Sequence, residues 1–198
     1  MKKLLAIFLA ALLMLSLVAC TESNNPGGSD PANGTNESNV ESALELLTTV
    51  WDKYADDEKF PAVGGDPMTE EYLATDAPGQ YNIDDAAILD TMLAFPETSA
   101  NKIDDAASLG HMMNANTFTC AAFRVTNAAD VADVAAAIED NIMNRHWMCG
   151  FPEKLVVVQV DNYLVYFFGA GDLIDTFKTK LVEAYPSAET LCDAPIEI

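Results

Sequence analysis

The feature that most constrains this chain lies near its C-terminal end, where Leu155 to Val160 and Tyr163 to Phe168 form two nearly continuous apolar runs separated only by Asp161 and Asn162. Asp and Asn tolerate positive φ, so the pair reads as the tight turn of a hairpin. Strands without polar alternation are buried on both faces or nearly so. Helices packed on a small sheet would bury this Val-rich hairpin.

The flanking sequence supplies the other elements. Thr117 to Val125 is rich in strand formers, and Asn127 can cap a helix whose apolar positions Val131, Val134, Ile138 and Ile142 keep helical spacing to about Met148. Asp172 caps a last helix with Leu173, Phe177 and Leu181 facing inward, ended by Pro186. A first helix begins at Ser38 and Glu41 in capping-box spacing, carries Val40, Ala43, Leu44, Leu47, Trp51 and Tyr54 on one stripe, and runs to about Ala55. Phe60 to Met68, with Gly64, Gly65 and two prolines, is a loop.

Between these lies a near-repeat. Ile83-Asp84-Asp85-Ala86-Ala87-Ile88-Leu89 returns twenty residues later as Ile103-Asp104-Asp105-Ala106-Ala107-Ser108-Leu109. Two copies do not make a solenoid. In each copy the Asp pair is expected in the first turn of a helix, where carboxylates meet the positive end of the dipole. Neither has the alternating oxygen ligands and glycine of a calcium loop. The sum is an α+β domain: one or more helices, then strand, helix, strand, strand, helix, with an antiparallel or mixed sheet.

The N-terminus carries an address. Lys2 and Lys3 precede an apolar run from Leu4 to Leu15, then Ser16, Leu17, Val18, Ala19 and Cys20. A charged start, a short apolar core and a small residue before the cut are the parts of a secretion signal, and the run is too short to span a bilayer. Leu17 to Cys20 resembles the lipobox of bacterial lipoproteins, which implies cleavage after residue 19 and a diacylglycerol on the Cys20 thiol. Thr21 to Asn39 has a single Ala and no larger apolar side chain, so residues 20–39 are expected to be a flexible tether and residues 40–198 one domain. The protein is therefore expected on the outer face of a bacterial cell membrane, held there by lipid without spanning it.

Charge narrows the partners. The chain has 31 acidic and 10 basic residues, a formal charge of −21, or about −23 once Lys2 and Lys3 leave with the signal. Such a surface repels nucleic acid and anionic lipid headgroups, so neither is expected as a partner. The same charge keeps an extracellular domain soluble.

Two segments draw attention for chemistry. Ala106 to Cys120 contains His111, Met112, Met113, Asn114 and Asn116 just before a strand, and Arg145 to Leu155 reads RHWMCGFPEKL at the exit from the long helix. Polar and aromatic side chains where a helix meets a strand are where sites tend to be built. Both segments resemble those of a family of lipoproteins from clostridia and their relatives, labelled "bacteriocin transport accessory protein". The likeness covers roughly Asp104 to Leu181 and is closest at HMMNANTFTC and WMCGFPEKL. It implies surface work beside a membrane transporter or peptide export system.

A nine-residue strand and a twenty-residue helix each span about 30 Å, so the helix should return Cys149 to the Cys120 end of the strand. With Cys20 lipidated, Cys120, Cys149 and Cys192 remain, and at most one internal pair forms. A Cys120–Cys149 bridge and two buried, unpaired thiols are both open readings, and Cys192, in the polar C-terminal tail, could pair with either. A thiol or redox enzyme would use a cysteine with His111 or His146 as base, but no C-x-x-C pair exists. His146, beside Trp147 near a helix C-terminus, fits a structural role.

No nucleotide loop, serine elbow, H-E-x-x-H or zinc-spaced cysteine cluster is present, so no cofactor or metal is expected. Met112, Met113, Met143 and Met148 are expected as core filler rather than as soft-metal ligands. The leading expectation is a non-catalytic surface lipoprotein that binds a peptide, a small ligand or a neighbouring membrane protein around His111, Asn114, Asn116 and Trp147. A thiol-dependent accessory enzyme acting on exported peptides is the alternative.

Overall fold

The computed structural model describes residues 40–148 and 150–197, so the signal, Cys20, the tether through Asn39, and Cys149 lie outside the described residues. Helix α1 (Ala43–Trp51) starts four residues later than the first capping box suggests. Its N-cap is Ser42, whose hydroxyl accepts from the Glu45 N–H at 3.1 Å. The sequence repeats the S-x-x-E spacing at Ser42 and Glu45, and this second copy sits directly before the apolar stripe.

Three very short strands follow, β1 (Ala62–Gly64), β2 (Ala74–Thr75) and β3 (Gly79–Gln80), the first of them inside the Phe60 to Met68 stretch that reads as loop. The near-repeat then divides. Its first copy enters α2 (Ala86–Leu93), where Asp85 is the N-cap and accepts from the N–H groups of Ala87 and Ile88. Its second copy is not a helix but the long strand β4 (Ile103–His111). Asp105 still meets a helix N-terminus, but that of α1: its carboxylate accepts from the Ala43 N–H at 2.7 Å.

The rest of the order is β5 (Phe118–Val125), α3 (Val131–Met143), β6 (Lys154–Val160), β7 (Tyr163–Gly169), α4 (Gly171–Ala184) and β8 (Glu189–Pro195). Asp161, in the hairpin turn, has φ 54°, the positive value the Asp-Asn pair was chosen to tolerate. Helix α3 stops five residues short of Met148, so a twenty-residue return is not made. Asn127 caps the 3-10 turn Ala128–Asp130 that precedes α3, not α3 itself.

The domain is α+β. All eight strands form one antiparallel sheet in the order β2-β1-β4-β5-β7-β6-β8, with β3 also paired to β4. Helices cover both faces, which is why β7 is buried at every residue. On one side α1 and α4 pack Leu47, Trp51, Phe177 and Leu181 on Phe118, Val158 and Phe167. On the other, α2 and α3 pack Leu89, Ile138 and Ile142 on Phe123, Val157 and Tyr166. The hydroxyl of Tyr166 donates to the Leu93 carbonyl at 2.9 Å, so this buried polar atom is satisfied and ties β7 to α2.

Cys192 is not in a polar tail. It lies on β8, opposite Val157, and is buried in the α2–α3 layer, whereas Cys120 on β5 is buried in the α1–α4 layer. The ladder from Cys120 passes through Phe167 and Val156 before reaching β8, three steps of about 4.8 Å. A disulfide needs Cα atoms within about 7 Å, so Cys120 and Cys192 cannot pair. Among the described residues no helix is long and apolar enough to cross a membrane.

Candidate functional site at one end of the sheet

At the end of the sheet where β4 stops and β5 begins, the chain turns through Asn114 and the 3-10 turn Ala115–Thr117. The Asn114 side chain caps that turn by accepting from the Asn116 N–H at 2.9 Å. The irregular segment after α3 crosses the same end. Asn116 holds it there, its amide donating to the carbonyls of Met148 (3.3 Å) and Gly150 (3.1 Å). The two asparagines expected to touch a ligand therefore also shape the loops around the site.

Two adjoining cavities open at this end. One, of about 180 Å³, lies under the short strands and is lined by Val63, Leu73, Tyr81, Met92, Ser108 and His111 among others. The second, of about 220 Å³, is lined by Asn116, Arg145, His146, Trp147, Met148 and Phe168, and shares Met92, Ala115 and Thr119 with the first. Asn116 and Trp147 thus meet in one cavity, His111 faces the neighbouring one, and Asn114 lines neither.

The walls are firmly held. The Trp147 ring packs on Phe168 with centroids 5.2 Å apart, under the Arg145 guanidinium. Arg145 is fixed by Asp90 of α2, donating to its carboxylate at 3.0 Å and its carbonyl at 2.9 Å. Asn141 joins the same carboxylate at 2.8 Å, so the end of α3 is locked to α2. His111 stacks on Phe60 and its Nδ1 accepts from the Met113 N–H, which orients the ring without leaving that nitrogen free.

The rim is the part that the sequence concealed. Met112, Met113 and Met148 are not core filler: they are exposed, Met113 by 79% and Met148 by 72%. Met143 alone of the four is partly buried against the α2–α3 layer. Leu73 and Met92 line the cavities and are also exposed, and Met68 and Phe151 are exposed within three residues of wall residues, whereas Met112 lines a separate hollow with Trp51 and Phe60. No family model, curated protein or solved structure matches this chain.

The described thiols are poor nucleophiles. Cys120 is wholly buried and free, and burial pushes its pKa well up. Cys192 is pushed up to about 11 by burial and by the Glu139 carboxylate beside it. Cys149 is outside the described residues, while Trp147, two residues before it, packs on the face of the sheet opposite Cys120. In a Cys149→Ser variant neither remaining thiol of the folded domain should react with a thiol-specific disulfide reagent at neutral pH, and both should react in denaturant. Fast native reaction of Cys120 would contradict the packing. Among the described residues no three His, Cys, Asp or Glu side chains converge to hold a metal.

Proposed function

We propose that this chain is a non-catalytic surface lipoprotein, anchored by lipid on Cys20 to the outer face of a bacterial membrane, that holds a partner at the methionine-rimmed end of its sheet. The observation that carries the reading is the exposure of Leu73, Met92 and Met148 on the walls of two adjoining cavities, with Met68, Met113 and Phe151 exposed within three residues of wall residues along the chain. Contiguous apolar side chains in contact with water mark interaction surfaces, and methionine is favoured there because its flexible thioether fits varied partners. The buried state of Cys120 and Cys192 gives the thiol-enzyme alternative no support. A peptide or a component of a membrane transporter is the partner class that suits such an address.

A photo-crosslinking amino acid at position 113, in intact cells, tests the proposal. It should give one discrete adduct that the same group at Val182, an exposed position on α4, does not give. Identical patterns from both positions would sink the reading.

A further inference from the structure

The larger cavity collects soft donor atoms. The chain has only two histidines, and each is followed two residues later by a methionine, in His111-Met112-Met113 and in His146-Trp147-Met148. The fold brings both segments to the same end of the sheet, where the Asn116 amide ties the second to the turn that follows the first. His146, Met148 and Met92 of α2 line one cavity of about 220 Å³. All three residues are exposed, Met92 by 42% and Met148 by 72%, and His146 makes no hydrogen bond among the described residues. His111 is placed differently: it faces the neighbouring cavity, and its Nδ1 is engaged by the Met113 N–H.

One imidazole and two thioethers form a donor set with a narrow preference. Thioether sulfur is a neutral, soft ligand suited to Cu(I), whereas Zn(II) takes thiolate, imidazole and carboxylate, and Ca(II) and Mg(II) take oxygen. Methionine is unbranched with three rotatable bonds, so exposed thioethers on facing walls can swing onto one ion. The local field favours a cation as well. Helix α2 ends at Ala94, a wall residue, and α3 ends at Asn144, next to the wall residue Arg145, so two helix C-termini, each the negative end of a dipole, meet at this cavity. The Arg145 charge is taken up by the Asp90 carboxylate at 3.0 Å, and the chain as a whole is strongly acidic.

We propose that this cavity binds one Cu(I) ion through an imidazole nitrogen of His146 and the thioether sulfurs of Met92 and Met148. The probe is Ag(I), a redox-stable ion of the same charge and softness, titrated into the full mature chain in detergent and chloride-free buffer. Cys149→Ser is the background, because an open thiol takes soft metals by itself. One equivalent should bind and should quench the emission of Trp147, which lines the same cavity, while Trp51 lies in the core on the other face of the sheet. Trp147→Phe should remove the quench and keep the bound ion. Losing even an outer-shell contact to a metal costs about 10- to 100-fold, so Met92→Leu with Met148→Leu should weaken binding by at least about 100-fold and His146→Gln by at least about tenfold. The three residues are exposed, so each variant should keep the parent melting temperature without metal. Zn(II) in equal amount should not displace the ion, and Cu(I), competed anaerobically against a chromogenic chelator, should rank the variants in the same order.

No binding of Ag(I) at micromolar concentration, parent affinity in the double methionine variant or in His146→Gln, displacement by Zn(II), or a quench that survives Trp147→Phe would overturn the proposal. The ion is measured on the purified chain with no partner present, so this site does not rest on the partner reading above. If the crosslink at position 113 fails while Ag(I) binds, the metal site stands alone; if Ag(I) fails while the crosslink forms, the binding end stands without a metal.

Discussion

Replacing Phe177 with Ala should destabilise the domain by about 3–5 kcal/mol, the largest effect expected of any single truncation on the α1–α4 side. The ring is fully buried and lies 4.8 Å from Phe167, 5.3 Å from Phe118 and 6.5 Å from Tyr54, so one side chain joins α4 to β7, β5 and the end of α1. The three aromatic rings left around the void cannot close it without moving the sheet, and the cavity term adds to the lost transfer energy. Since domains of this size are stable by about 5–15 kcal/mol, the variant should fold with a melting temperature lower by about 6–20 °C. Val182→Ala on the exposed side of the same helix should change stability by no more than about 0.5 kcal/mol. A loss below about 1.5 kcal/mol for Phe177→Ala in a urea titration would mean that this layer is loosely packed.

Gly65→Ala should cost about 2–4 kcal/mol and remove the smaller cavity at the same time. Gly65 has φ +88°, and a Cβ there would stand 2.7 Å from the Tyr72 carbonyl carbon and closer still to its oxygen. Its N–H donates to the buried Ser108 hydroxyl at 3.0 Å, which fastens the short strands to β4. The methyl group must therefore push the segment of residues 62–81 off the sheet, and the cavity wall with it. Amide exchange should rise across that segment and stay low in β5 and β7, while the melting temperature falls by several degrees. Native stability and unchanged exchange would show that the segment yields without strain.

The two halves of the near-repeat explain how much of the fold could be read. Ile83 to Leu89 and Ile103 to Leu109 share Ile-Asp-Asp-Ala-Ala, and local propensity sees no difference between them. The first copy continues to Leu93, which with Leu89 makes an apolar stripe at helical spacing. In the second, Ala106, Ala107, Ser108 and Leu109 are buried consecutively, because α1 covers one face of β4 and the α2 side the other. Small side chains in a strand covered on both sides look like a helix until the covering elements are known. The apolar hairpin had no such ambiguity, since its length, its turn and its lack of polar alternation agree.

The site was legible only in part, for a related reason. His111, Asn116 and Trp147 stood out by residue type, and the structure puts all three at one end of the sheet. Tyr81 and Leu73 could not be found, because β1, β2 and β3 are too short to show any periodicity, and Met92 lies on the exposed side of α2. The paired Gly64 and Gly65, with Gly79 opposite, were the available sign, since a Cβ on any of the three would collide with neighbouring backbone. The methionines misled because composition cannot say which way a side chain faces.

That the methionine-rimmed end is the working surface is tested most directly by hydroxyl-radical footprinting of the protein on intact cells and after purification. Met68, Met113 and Met148 should oxidise readily in the purified protein and several-fold more slowly on cells, while Tyr185, at the foot of α4, should oxidise equally in both. Equal oxidation of those methionines in the two states would mean that nothing covers this end where the protein works, and the account would be wrong.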